Sequence, residues 1–305
     1  MKAPTSTFAP AGAGVSGGLA LMAGAMLLLP AMDIMGKAMS AELNGIQVSL
    51  ARFAFQALYL LPLLLWLKGV AGLMPNRLWP NIVRALLMAG ATTCFFTSLR
   101  WLPVPDAIAI FFVEPLILTI LSAVVLKEKV GWRRRAAVAV GFIGALIVIQ
   151  PSYAIFGAAS LLPIAAATLF AVYLLYTKAL SASEDPMTMQ FFSGVVSVPA
   201  LALVSMAGTG AGFELFTLAW PSQQHWIMLA AVGLIATVGH LMVVHAFKRA
   251  PASVLAPFTY IEIVSATALS YLVFGEIPQG MKWLGIAIIV GAGLYVWWRE
   301  RIAAA

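Results

Sequence analysis

Charge is scarce in this chain. Asp, Glu, Lys and Arg make up 10% of its 305 residues, where a soluble domain carries about 25%. A soluble fold of this length could not keep so much apolar surface from water, because much of any globule's area faces solvent. Cysteine is nearly absent. The single thiol, Cys94, lies in an apolar run, so no disulfide can form within the chain, and it reads as a small packing residue. With 3 histidines in the chain, no Cys/His spacing for a metal exists. His240 and His245 are five apart, hence about 140° apart around a helix, and cannot hold one ion from one face as an i, i+4 pair does. There is no Walker motif, no His-Glu-x-x-His and no nucleophile elbow. The run from Gly12 to Gly17 fits G-x-G-x-x-G by its letters, but no strand precedes it and no soluble unit with a following acid surrounds it. No cofactor and no metal are expected, and no site for powering work with ATP.

What the chain has in quantity is apolar length: 62% of its residues are hydrophobic. A spanning helix needs about 20 mostly apolar residues. Ten such runs are predicted, at 17–37, 46–67, 80–99, 105–126, 134–151, 158–179, 187–207, 225–247, 252–274 and 281–298. Residues 1–16, rich in Ala, Gly, Pro, Ser and Thr, read as a disordered tail. The charge before the first run is too weak for a cleaved signal peptide, so that run is expected to remain as a helix. The glycine-rich stretch 208–224 reads as a surface loop. The net charge of +7 comes from short basic clusters between the runs, with no basic face for nucleic acid. Such clusters mark loops that face the cytoplasm and anionic lipid. With the N-terminus inside, fourteen of the 18 lysines and arginines fall on that side, including Arg77, Arg84 and the cluster Lys127 to Arg135. The other four are Lys37, Arg52, Arg100 and Lys282. Both termini are therefore expected in the cytoplasm.

The chain repeats itself at an offset of 148. The segment RWLPVPDAIAIFFVEPLILTILSAVVLKEKV from Arg100 lies over KRAPASVLAPFTYIEIVSATALSYLVFGEIP from Lys248 without a gap. Pro103 meets Pro251, Glu114 meets Glu262, and Glu128 meets Glu276. Matching intramembrane acids carry more weight than matching leucines. Five helices per half is an odd number, so the halves should sit in opposite senses, an arrangement recurrent in transporters. The fold class expected is an all-α membrane protein of ten transmembrane helices in two inverted five-helix repeats, 17–151 and 158–299.

In both halves a proline-containing stretch, A-x-x-x-x-P at Ala246–Pro251 in the second half, leads into an apolar helix, a Gly-Glu or Lys-Glu, a short turn and a Gly-rich helix. The second half reads on into WLGIAIIVGAGLYVWW. This pattern resembles the drug/metabolite transporter superfamily, and within it the EamA-domain transporters of ten helices. The resemblance covers about residues 17–300. The first half departs from it by carrying Lys127 where a glycine often precedes the helix-end glutamate. It implies a secondary transporter of the inner (plasma) membrane and not an enzyme. Related proteins export amino acids or drugs. Others import vitamins or nucleoside-like metabolites such as riboflavin or S-adenosylmethionine.

The candidate site residues are the ionisable groups inside apolar runs, where a charge costs about 2.5–3.5 kcal/mol on insertion scales. Asp33 and Lys37 are four apart on one helix face, so they serve either as a structural ion pair or as cavity groups. Pro30 should kink the first helix beside them. Arg52 is either an interfacial arginine or a partner for Asp33 or a solute carboxylate. Glu114 and Glu262 are predicted to line a cavity and bind protons or a cationic solute group. The alternative is that each is neutral and hydrogen-bonded in a helix contact. Phe258 and Tyr260 are placed to stack on a ring. His240 is either proton-linked or a hydrogen-bonded interhelix histidine. Glu128 and Glu276 end their helices against the macrodipole and should find local structural partners. Tyr173, Tyr176 and Trp101 read as packing or interface aromatics. Two other classes fit less well. A lipid-modifying enzyme would need acids or histidines clustered near one interface, and a non-transporting sensor would not need duplicated intramembrane acids. The partners expected are a small solute, protons and membrane lipid.

Overall fold

The computed structural model describes residues 11–304, apart from 115–116, 119, 122–131, 181–182, 250–254, 256–257, 260 and 279. The described residues are helical or in turns, without strands. The helices are α1 (Ala11–Met39), α2 (Gly45–Lys68), α3 (Leu78–Ser98), α4 (Val104–Phe111), α5 (Trp132–Phe156), α6 (Leu162–Leu180), α7 (Pro186–Gly210), α8 (Gln223–Arg249), α9 (Ile261–Phe274) and α10 (Met281–Ala304). Among the described residues five stretches are long and apolar enough to cross a membrane: Ser16–Met39, Gly45–Lys68, Ser152–Thr177, Pro186–Gly210 and Gln223–Arg249. The helix α3 is diluted by Asn81, Arg84 and its threonines.

Local chemistry sets the helix ends. The Asn44 side chain accepts from the Gln47 N–H at 2.8 Å and starts α2. Gly69 then closes α2 with φ 65, a left-handed conformation that costs glycine little. Asp185 caps α7, with Pro186 in its first turn. The first helix starts at Ala11, inside the segment expected as a tail. Alanine is the best helix former, and no proline follows Pro10 until Pro30. The fourth run is not one continuous helix: α4 ends at Phe111 and a turn occupies 112–113. Pro115 lacks the amide proton that would donate to Phe111.

The most extensive helix contacts map onto themselves when each helix is exchanged for the one five places on. The α1–α8 pair has its counterpart in α3–α6, and α2–α8 in α3–α7. The pairs α2–α7, α5–α10 and α4–α9 are their own counterparts. Each half therefore packs mainly on the other. The largest apolar cluster, with Met39, Leu99, Ile108, Ala236 and Ile289, draws on both halves. The outer faces are as apolar as the core. Leu203 is 66% exposed, Val264 70% and Leu272 76%, which suits lipid and not water.

The loop expected at 208–224 is narrowed to 211–222 by the ends of α7 and α8, and it is tied to the start of α2. Asn44 Nδ2 donates to the Thr217 carbonyl at 2.7 Å. Gln47 exchanges two hydrogen bonds with the Ala219 backbone, at 2.6 and 3.0 Å.

Candidate functional site

A cavity lies where the two halves meet. Its walls include Asp33 of α1, Arg52 of α2, Glu114 after the turn at 112–113, His240 of α8 and Glu262 in the first turn of α9. Asp33 interacts electrostatically with Glu262 and Arg52, and Glu114 with Glu262. Three carboxyl groups thus share the space with one guanidinium. The repeat-related glutamates, 148 positions apart in the chain, come together because α4 and α9 pack on each other.

The polar groups fix one another's roles. Arg52 Nη1 donates to Thr92 Oγ1 at 2.9 Å, and Nη2 lies 3.4 Å from His240 Nε2. His240 Nδ1 lies 2.9 Å from the Ala236 carbonyl. A carbonyl only accepts and a guanidinium only donates, so the proton sits on Nδ1 and Nε2 is a bare acceptor. His240 is thereby a neutral imidazole in this conformation. Two buried atoms at the cavity have no hydrogen-bond partner among the described residues: Glu114 Oε1 and Arg52 Nε. Each unmet group costs about 1–3 kcal/mol, and a bound solute can meet both.

One wall is a continuous run of rings. Phe95 meets Phe96 at 6.5 Å between centroids and Phe111 at 5.6 Å, both edge-on. Phe111 meets Phe170 at 5.5 Å. Phe170 stacks on Tyr173 at 5.3 Å and 25°. All five line the cavity, the first three from one half and the last two from the other. Met22, Met26 and Met32 face it from α1, adding soft, adaptable surface.

The remaining sequence candidates fall elsewhere. Lys37 does not line the cavity; its Nζ donates to the Leu102 carbonyl at 2.9 Å, closing α1 against the start of α4. Phe258 packs beside the apolar cluster of Met22, Ala25 and Leu255. Tyr260 and Glu128 lie outside the described residues. Glu276 has a local partner: Ser270 Oγ donates to its carboxylate at 3.1 Å.

Sequence reasoning missed three features. Tyr173 is a wall of the cavity and not a packing aromatic alone. Arg84, counted above with the cytoplasmic loop charges, is 0% exposed within α3. Its position one turn from the start of an apolar run disguised it as an interfacial charge. Asp106, in the first turn of α4, pairs with Lys282 of α10. The only signal for that pair was an acid inside the repeat segment.

A helical body of two interlocking halves, apolar on its outer faces and with a charged, aromatic-walled cavity inside, is that of a multi-pass membrane protein. The chain belongs to the EamA-like transporter family, whose model matches it twice, over residues 16–150 and 157–298. It is similar to the S-adenosylmethionine uptake transporter of Rickettsia bellii, 30% identical over 277 residues and 90% of each chain. The riboflavin transporter of Vibrio cholerae is 31% identical over 247 residues, 80% of this chain and 79% of that one. The pseudopaline exporter of Pseudomonas aeruginosa is 24% identical over 86% of this chain and 89% of its own length. A solved crystal structure, 18% identical, has a TM-score of 0.68 over 95% of this chain and 99% of that one. That likeness concerns the fold alone.

Proposed function

We propose that this protein is a secondary transporter that moves a small, ring-bearing organic metabolite across the inner membrane by alternating access. The carrying observation is the cavity between the halves. It joins three carboxyl groups, one guanidinium and five stacked or edge-on rings. The carboxyl excess suits a solute with a cationic group, and the rings suit a planar body. In this reading ten helices span the membrane as inverted repeats, 17–151 and 158–299, with both termini in the cytoplasm. Exchange of conformation between the halves exposes the site to one side at a time. Two of the relatives are named for ring-bearing metabolites, S-adenosylmethionine and riboflavin, and the first of them is named for uptake, which supports import. The pseudopaline exporter supports a second reading, export of an amino-acid-like or drug-like solute.

Uptake of S-adenosylmethionine and riboflavin into vesicles holding the purified protein tests the function. Saturable uptake of either, absent from empty vesicles, is expected. Flux of neither in either direction would sink both named solutes.

Protons are the proposed coupling ion, with Glu262 as their carrier. His240 is excluded from that role while Arg52 and Ala236 hold both its nitrogens. Glu262→Gln keeps shape and hydrogen bonding but cannot titrate. It should abolish accumulation driven by an imposed pH gradient and spare counterflow of the solute. Unchanged accumulation would reduce Glu262 to a structural role, and loss of both activities would point to direct solute binding or to folding.

A further inference from the structure

We propose that the Tyr173 hydroxyl is a dedicated hydrogen-bond donor to the solute, aimed by the buried Arg84. The solute then carries an acceptor oxygen or ring nitrogen at that end of the cavity. This rests on the transport reading above and adds a recognition group to it.

Arg84 donates from Nε to Thr177 Oγ1 at 2.9 Å. Its Nη1 donates to the Met189 carbonyl at 3.1 Å and to Ser193 Oγ at 2.9 Å. Its Nη2 donates to Tyr173 Oη at 2.9 Å. A guanidinium has no acceptor, so all of these partners accept. Thr177 spends its own hydroxyl proton on the Tyr173 carbonyl at 2.8 Å, and Ser193 spends its own on the Met189 carbonyl at 2.9 Å. Both are back-bonds to the residue four earlier. Tyr173 has no such outlet among the described residues: its hydroxyl accepts from Arg84, and no described group accepts its proton. Tyr173 lines the cavity, so the unspent proton is available to what the cavity holds.

Arg84 strengthens that donor. A cation donating into the phenol oxygen polarises the O–H bond, as in any hydrogen-bond chain of low dielectric. Its guanidinium also lies 4.7 Å from the Tyr173 ring centroid, which holds the ring in place. The groups that receive its hydrogen bonds are all neutral. Its positive field is therefore not cancelled within its own cage, and it favours the electron-rich end of a solute. The cavity thus combines carboxyl groups with a cation-backed donor.

The test uses the full chain in vesicles, with riboflavin and S-adenosylmethionine as flux probes, since both carry acceptor ring nitrogens. Tyr173→Phe should raise the half-saturating concentration of the carried probe about three- to tenfold and keep the maximal rate. Arg84→Lys keeps the charge but not the fork, and should do the same. The double variant should be no worse than either single one, because the two residues act through one hydrogen bond. Additive losses would overturn the aiming role, and an unchanged half-saturation in Tyr173→Phe would overturn the donor. The infrared C–O stretch of Tyr173, isolated as wild type minus Tyr173→Phe, keeps the test decisive if Arg84→Lys fails to fold. It should report an oxygen that accepts from a cation and a proton donated away from the protein, and it should shift when the carried probe is added. If neither probe is carried, the transport reading fails for both solutes and the band alone judges the donor. A hydroxyl donating to water upholds it, and one donating to a protein carbonyl overturns it.

Discussion

At the scale of single residues, the ends of the helices are as telling as the cavity. Asp185 Oδ1 accepts from the Met187 and Thr188 amides at 3.0 and 3.1 Å, and Oδ2 pairs with Lys68 Nζ at 2.6 Å. Partial burial pushes its pKa up. The Lys68 hydrogen bond and charge, with the two amides, outweigh that and hold it below the usual carboxylate value. Stability from this group is present above the unfolded pKa of about 3.9, and it fades as pH falls through the lower folded value. Asp185→Ala should cost about 1 kcal/mol at neutral pH through loss of the cap. Asp185→Asn should cost less, because asparagine also caps and an ion pair a third exposed is worth about 0–1 kcal/mol. Thermal unfolding in detergent checks both values, and below pH 4 the gap between wild type and each variant should narrow. Equal losses for Ala and Asn at neutral pH would assign the stability to the ion pair instead.

Between elements, the close approach of helices rests on small residues. A Cβ added at Gly194 of α7 would lie 2.8 Å from both the Phe53 carbonyl oxygen and Ala57 Cβ of α2. Backbone cannot give way as a flexible side chain does, so Gly194→Val should cost about 1–3 kcal/mol. A Cβ at Gly210, the last residue of α7, would meet nothing within 4 Å, so Gly210→Ala should stay within about 0.5 kcal/mol. Unfolding temperatures of the two variants, measured side by side, separate them; similar temperatures would mean that α2 and α7 are not held by this contact. The interrupted α4 belongs to the same scale. Its turn at 112–113 sets Glu114 at a break in the backbone ladder, where proteins place polar backbone only against a cavity. Pro115 signals that break in the sequence, yet apolar length alone suggested one continuous helix.

For the whole molecule, exchange of α1–α5 with α6–α10 preserves the pattern of helix contacts. If the halves are inverted, that exchange is a half-turn about an axis in the membrane plane. A reporter after Arg301 should then be cytoplasmic, and a tag within 208–224 should be reached by an impermeant reagent from outside. Reversal of both results would reject the lysine and arginine count as a guide to orientation. The burial of Arg84 already removes one charge from that count, although the cluster from Lys127 to Arg135 still dominates it.

The sequence by itself determined the solvent, the repeat and most of the charged cavity. Few charges and long apolar runs leave lipid as the only surrounding that suits the chain. Asp33, Arg52, Glu114, His240 and Glu262 stood out because an ionisable group inside an apolar run is too costly to be incidental. Only the tertiary structure decided which faces turn inward. It placed Tyr173 and Phe95 at the cavity, and it set Lys37 and Phe258 away from it. It also enclosed Arg84 in neutral acceptors from α6 and α7, about ninety to 110 positions along the chain. The physical reason is that lipid and core are equally apolar. A helix between them needs no polar face, so its sequence carries little record of which side looks in.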